Sequence, residues 1–422
     1  MKTGSIDRVT FSKKTGADVL QTVASCCSLE EFVRTEHKYY LYDAVVDFGL
    51  AMTVTAYAPF LISIGLTLGE VSLINAFFWL TIVLAEIPTG MLADGKSRAW
   101  SLKMGCVFFT LGAFAYLFAN GFWSALVCEC VIGIGMAFFS GAEQAWVTDA
   151  LHREGRDHER RKVFATAGVI RGFVMVVGGF LGSIFALSNA RLIWLPMIIT
   201  SPLAWLVVHK LMNGQGEPIH KMTEVEALRA SVSLLKSNRS LKWVIGMMFV
   251  FGAVISFNHF WSPYFQPLVG TMGLSWVWAI MYIGLALSAV IVRRLSIPQG
   301  QEAAWIAASV VVTGIGLGGV GLSSGLLLPL FMATMHECGR GMLGPLVDSF
   351  VQHRVESGYR ATFGSLQSLL GKISLAIVPA LIWLTIRHDP NTPETIRFVW
   401  FVCGLVLIIG SLMLFLVRPR NA

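Results

Sequence analysis

The sequence predicts an all-α, polytopic membrane protein with twelve transmembrane helices in two six-helix halves. Three observations carry this expectation: too little charge for a soluble surface, twelve apolar runs of spanning length, and a one-sided distribution of Lys and Arg. Of the 422 residues, 55% are hydrophobic and 14% charged, whereas soluble domains hold about 45–50% and about 25%. Mean hydropathy is +0.67. A soluble chain of this length would divide into several cores, each needing a charged skin. The 41 Gly follow no three-residue period, which excludes a collagen-like fibre.

A spanning helix takes ~20 mostly apolar residues. Such runs fall at roughly 40–66, 71–92, 100–119, 122–146, 163–187, 191–211, 242–264, 275–293, 302–321, 325–350, 360–386 and 396–417. One long polar break, Met212 to Ser240, separates the sixth from the seventh and contains Gly214, Gly216 and Pro218. Within it, Val225, Leu228, Val232 and Leu235 recur at helical spacing, as in a short amphipathic helix. The chain therefore reads as an N-terminal arm (1–38), a first half (39–211), a linker (212–241), a second half (242–417) and a tail (418–422). Residues Leu20 to Val33 of the arm read as a surface helix. The arm lacks the apolar core and small-residue cleavage site of a signal peptide. Cys26 and Cys27 lie in it and are expected as reduced, unmodified thiols, with acylation as the alternative, and the other five cysteines fall in apolar spans as small packing residues.

Charge sets the orientation. Of 32 Lys and Arg, Arg171, Arg340 and Lys372 lie inside spans, and Arg191, Arg387 and Arg397 lie in loops of one face. The remaining 26 fall on the face that carries both termini. The positive-inside rule makes that face cytoplasmic. The pI of about 9.1 therefore reflects topology, and no nucleic-acid partner is expected.

The end of the second span and the following loop read Glu86-Ile87-Pro88-Thr89-Gly90-Met91-Leu92-Ala93-Asp94-Gly95-Lys96-Ser97-Arg98. Ser140 to Asp149 (SGAEQAWVTD) closes the fourth span, and Arg360 to Leu369 (RATFGSLQSL) opens the eleventh. In these segments the chain resembles the major facilitator superfamily, in the branch with E-x-P-T-G before the G-x-L-A-D-x-x-x-R loop signature. The resemblance covers roughly residues 40–417. It departs from the pattern at Gly95, where the family often has Arg, and in the loop after the eighth span, where Arg293 and Arg294 stand without a second copy of the signature. It implies alternating access, with proton-coupled export of a small organic molecule resembling drug efflux. Uptake, uncoupled uniport and a receptor that has lost transport are the alternatives. It also implies a monomer in a bacterial inner membrane, with the small-molecule substrate, the proton and the lipid bilayer as its partners. Gly90, Asp94 and Arg98 would form a cytoplasmic gate, with Asp94 accepting hydrogen bonds from a helix N-terminus or pairing with Arg98. A solvated turn without gating is the plainer reading.

Ionisable groups at membrane depth are costly and are functional hypotheses by default. Asp43 and Asp47 share a face of the first span. Asp43 is expected to be solvated near the interface, and Asp47 sits a turn deeper, ~6 Å. Glu86 lies ~12 Å inward from the loop. Glu143 and Asp149 are expected to pair with Arg160, Arg161 or Arg171 in a static network. The tenth span carries His336, Glu337 and Arg340 at mid-span. Arg340 can pair with Glu337 within the helix, and Lys372 is a second partner for Glu337 from the next span. Proton exchange at Glu337, helped by His336, and a static buried pair both remain open. Asp47 and Glu86 are the proton-coupling candidates of the first half.

Tyr57, Asn258, His259 and Tyr282 could line a partly apolar pocket. Trp261, Tyr264, Trp276 and Trp278 read as an interfacial aromatic belt. There is no P-loop, no metal-ligand spacing and no G-x-S-x-G elbow. No cofactor, metal or enzymatic activity is expected.

Overall fold

The computed structural model describes residues 33–213, 232–295, 297–298, 300–355 and 360–419. The expected arm helix (Leu20 to Val33) and most of the linker helix lie outside the described residues. Every regular element among the described residues is a helix.

The first span is a bent pair, Thr35–Val54 and Tyr57–Ser63, meeting at 48°. The second is Leu68–Gly95, started by a capping box in which Thr67 and Glu70 satisfy each other's backbone amides. The third, Arg98–Tyr116, starts at Ser97, whose hydroxyl accepts from the Trp100 amide. The fourth runs from Phe122 to Arg153 and breaks after Phe139 at Gly141, where φ is +76°. Glycine takes that left-handed conformation without the Cβ penalty other residues incur. The fifth is Arg160–Ser188, and the sixth runs from Ala190 to Met212.

Residues Arg239–Arg294 form a 56-residue helical run, ~84 Å at 1.5 Å per residue. That is far more than the ~30 Å a bilayer core requires. The run breaks at Gly270 (φ 71°, ψ 173°), and this turn separates the seventh and eighth spans. The ninth to twelfth are Glu302–Leu322, Leu327–Arg354, Arg360–Ile386 and Pro393–Leu416. Nine helical runs are long and apolar enough to cross a membrane as they stand. The bent first span, the division at Gly270 and the charge-bearing Leu327–Arg354 bring the count to twelve, as the sequence predicts.

Each half has its own core. In the first, Phe60, Tyr116 and Trp194 pack together, with Tyr116 stacked on Trp194 at 3.9 Å. In the second, Phe257, Tyr264 and Trp400 do the same. Spans one and five meet almost backbone to backbone. A Cβ added at Gly182 would overlap the Met52 carbonyl, and one at Gly178 would press on Ala51.

The halves are joined mainly toward the end opposite the basic loops. There the Asn391 side chain accepts from the Leu68 amide at 2.8 Å and donates to the Leu66 carbonyl at 3.4 Å. The Trp278 indole donates to the Met175 carbonyl at 3.0 Å. At the basic end, Gly168 and Gly172 of span five and Gly344 and Gly364 of spans ten and eleven face open space. Among the described residues, Ala142–Arg153 and the last turns of span ten share no comparable packing.

Candidate functional site

Three charged groupings occupy the interior. The first centres on Arg171 of span five. Its Nη2 lies 2.5 Å from Asp43 Oδ1 and 3.3 Å from Glu143 Oε1, and its Nε lies 2.6 Å from Asp47 Oδ2. The Tyr39 hydroxyl also donates to Glu143, at 3.0 Å. The Asp43–Asp47 spacing puts both carboxylates on one face of span one, and the break at Gly141 aims Glu143 at the same guanidinium. The expectation for Asp43 is overturned, because its side chain is only 2% exposed whereas that of Arg171 is 46% exposed. Arg160 pairs with Asp157 instead of joining this group.

The second grouping lies in span ten. Arg340 donates to Glu337 Oε2 from Nε at 2.9 Å and from Nη2 at 2.5 Å. His336 is fully buried, with Nδ1 3.2 Å from the Thr313 carbonyl and its ring 4.6 Å from Phe257. Its Nε2 has no hydrogen-bond partner. Tyr282 of span eight lies within electrostatic range of Arg340, Glu337, Asp47 and Arg171. Both groupings therefore lie near Tyr282.

The third grouping crosses the junction of the halves. Lys372 Nζ lies 2.6 Å from Glu86 Oε1 and 2.8 Å from Ser140 Oγ, and Ser140 donates to the same Glu86 oxygen at 2.9 Å. Lys372 is thus a partner of Glu86 rather than of Glu337. A Lys at mid-span has a fixed depth in the sequence but no fixed direction, and span eleven packs on span two. Ser140 was not anticipated. Its signal is the Ser-Gly pair at the break in span four.

Of the pocket residues, Tyr282 packs on Trp278 with ring centres 4.7 Å apart and the planes tilted by 54°. Asn258 is exposed, and His259 is buried with both ring nitrogens lacking partners. Tyr57 turns into the first half, its ring 6.1 Å from Trp194 and its hydroxyl buried beside Glu129 and Tyr116. Tyr116 donates a short hydrogen bond to Glu129. The expected belt fails for three of its four members. Trp261 and Tyr264 are buried, and Trp278 stacks on Trp261 and bonds across the halves. Trp276 is exposed.

In the loop signature, Gly90 and Asp94 belong to the last turns of Leu68–Gly95, and Arg98 opens the third span. The Asp94 side chain, and with it the expected contact to Arg98, lies outside the described residues. Thr89 ties this turn to span four, donating to the Ala137 carbonyl at 3.3 Å. Among the described residues, no group of His, Cys, Asp and Glu could hold a metal ion.

Twelve spans in two halves, with buried charges meeting at the junction, define a membrane transporter fold. The chain belongs to the Major Facilitator Superfamily, whose family model matches residues 43–379. No curated protein sequence matches it. Its fold is similar to that of the nucleoside transporter NupG, at 12% identity and a TM-score of 0.75, over 92% of this chain and 100% of the other. It is also similar to a D-xylose-proton symporter, at 12% identity and 0.71, over 92% and 98%. A third similar structure is a bacterial homologue of the human lysosomal transporter Spinster, inward-facing and occupied, at 15% and 0.68, over 92% and 96%. At such identities the likeness shows the fold alone.

Proposed function

We propose that the chain is a proton-coupled exporter of a small organic molecule, working by alternating access with its basic end in the cytoplasm of a bacterial inner membrane. One observation carries the coupling: a single guanidinium, Arg171, shared by three carboxylates from spans one and four. One positive charge balances one carboxylate. The remaining negative charge sits at membrane depth, where it is costly, and incoming protons can balance it. Of the two carboxylates of span one, Asp47 is the better placed to take one, because it is less enclosed than Asp43, with its side chain 15% exposed, and Glu143, though 22% exposed, is also held by Tyr39. In this reading the halves part toward the basic end, where Gly168, Gly172, Gly344 and Gly364 have nothing packed on them, so cargo would enter from the cytoplasm. Rocking the halves would part Asn391 from Leu68 and Trp278 from Met175, opening the opposite end.

The direction of transport rests on the resemblance in residues 86–98, 140–149 and 360–369. The test is a compound panel, including nucleosides and D-xylose as the cargoes named for similar folds, in proteoliposomes of known orientation with an imposed pH gradient. Accumulation on the side opposite the basic end, driven by protons moving the other way, supports export. Accumulation in the same direction as the protons makes the protein an importer, and movement indifferent to the gradient makes it a uniporter. Saturable binding without transport of any compound leaves a receptor.

A further inference from the structure

Spans seven and twelve leave an apolar groove of about 560 Å³ on the outside of the second half, at the basic end. Ile245, Phe249 and Val250 form one wall, Met413 and Leu414 the other, and Gly246 and Gly410 keep its floor low. Lys242 lines the same groove. Arg239 lies one turn before Lys242 on the same helix face, and Arg418 lies one turn beyond Leu414. All three are exposed. None makes an ion pair among the described residues, and residues 232–264 and 395–419 contain no Asp or Glu.

An apolar trough that ends in positive charge with no acidic partner among the described residues matches a molecule with an acyl chain and an anionic head. We infer that this groove is a binding site for an anionic phospholipid of the leaflet at the basic end. One acyl chain lies between Val250 and Met413, and the phosphate rests on Lys242 and Arg239, with Arg418 closing the rim. Basic clusters beside transmembrane helices attract such headgroups. The assignment is independent of the transported substrate, because the groove faces away from the junction of the halves.

The test uses the full-length protein in phosphatidylcholine nanodiscs containing a minor fraction of phosphatidylglycerol, with retained lipid counted by native mass spectrometry after mild release. Phosphatidylglycerol should be retained in preference to phosphatidylcholine. Arg239→Gln with Lys242→Gln should lower that preference about 25-fold, at roughly fivefold per charge. Gly246→Leu fills the groove without changing charge and should lower retention as well. Its Cβ would meet Leu414 only at ordinary contact distance, 3.4 Å, so the fold should tolerate it. Equal retention of the two lipids by the wild type, or unchanged preference in both variants, overturns the assignment. So does full displacement of the lipid by inorganic phosphate, which would mark a free-anion site.

Discussion

Lys372 of the second half reaches Glu86 of the first, 286 positions away in sequence, across 2.6 Å. It is an ion pair between the two halves, which alternating access would require to move past each other. Both partners are partly shielded, with side chains 14% and 24% exposed. Removing one therefore strands the other in a poor solvent for charge. Lys372→Met and Glu86→Gln should each slow transport, and the double variant should recover part of the loss. A double-mutant cycle on transport rate should give a coupling energy of about 1–3 kcal/mol. Strict additivity would mean that the pair does not act as a unit.

Asp43 and Asp47 contact the same guanidinium but should behave differently. Asp47→Asn should leave exchange at equal pH intact, while pH-driven accumulation falls on the order of tenfold, about 1.4 kcal/mol of lost coupling. Asp43→Asn should lower folded abundance, because its side chain is enclosed and the charge on Arg171 would lose its shortest contact. Paired exchange and gradient assays in one vesicle preparation separate the two. Identical profiles would sink the distinction.

Glu337→Gln should reduce pH-driven accumulation less than Asp47→Asn does. Glu337 is held twice by Arg340 of its own helix, so its pairing need not change when the halves move. A larger loss at Glu337 than at Asp47 would move the proton site to span ten.

Trp278→Phe removes the indole bond to the Met175 carbonyl. One such bond is worth about 1 kcal/mol, so the population open at the end opposite the basic loops should rise about fivefold. Spin-label distances across that end should lengthen, and an unchanged distribution would show that the bond does not hold it shut.

Orientation is checked by single-cysteine labelling. Ser233→Cys should react from the cytoplasm and Ser324→Cys from outside. Ser324 is used because its neighbour Ser323 is buried. Cytoplasmic labelling at both positions would break the twelve-span topology.

Span lengths were legible in the sequence because lipid imposes one strong requirement on every residue of a run. The bend near Ala56 has its signal in Pro59, which has no N–H to donate to the Thr55 carbonyl four residues back and whose ring crowds it. The Thr55 hydroxyl adds a hold from outside the span, donating to the Gly179 carbonyl at 3.2 Å. The intrahelical pair Glu337–Arg340 followed from three-residue spacing. The Glu86–Ser140–Lys372 link did not, because it depends on which helices of opposite halves face each other. Trp261 and Trp278 misled for a related reason. Composition places aromatics near an interface but cannot distinguish the lipid from the other half of the molecule.

The close approach of spans one and five at Gly178 and Gly182 bears on how Arg171 can work. Helices touching through their backbones have no side-chain cushion over which to slide or roll. Span one carries Asp43 and Asp47, span five carries Arg171, and the contact welds them into one piece. When that piece tilts, the arginine keeps the same two neighbours in either orientation. The charge on those two carboxylates can then change only through what arrives from the water: a proton, or the cargo itself.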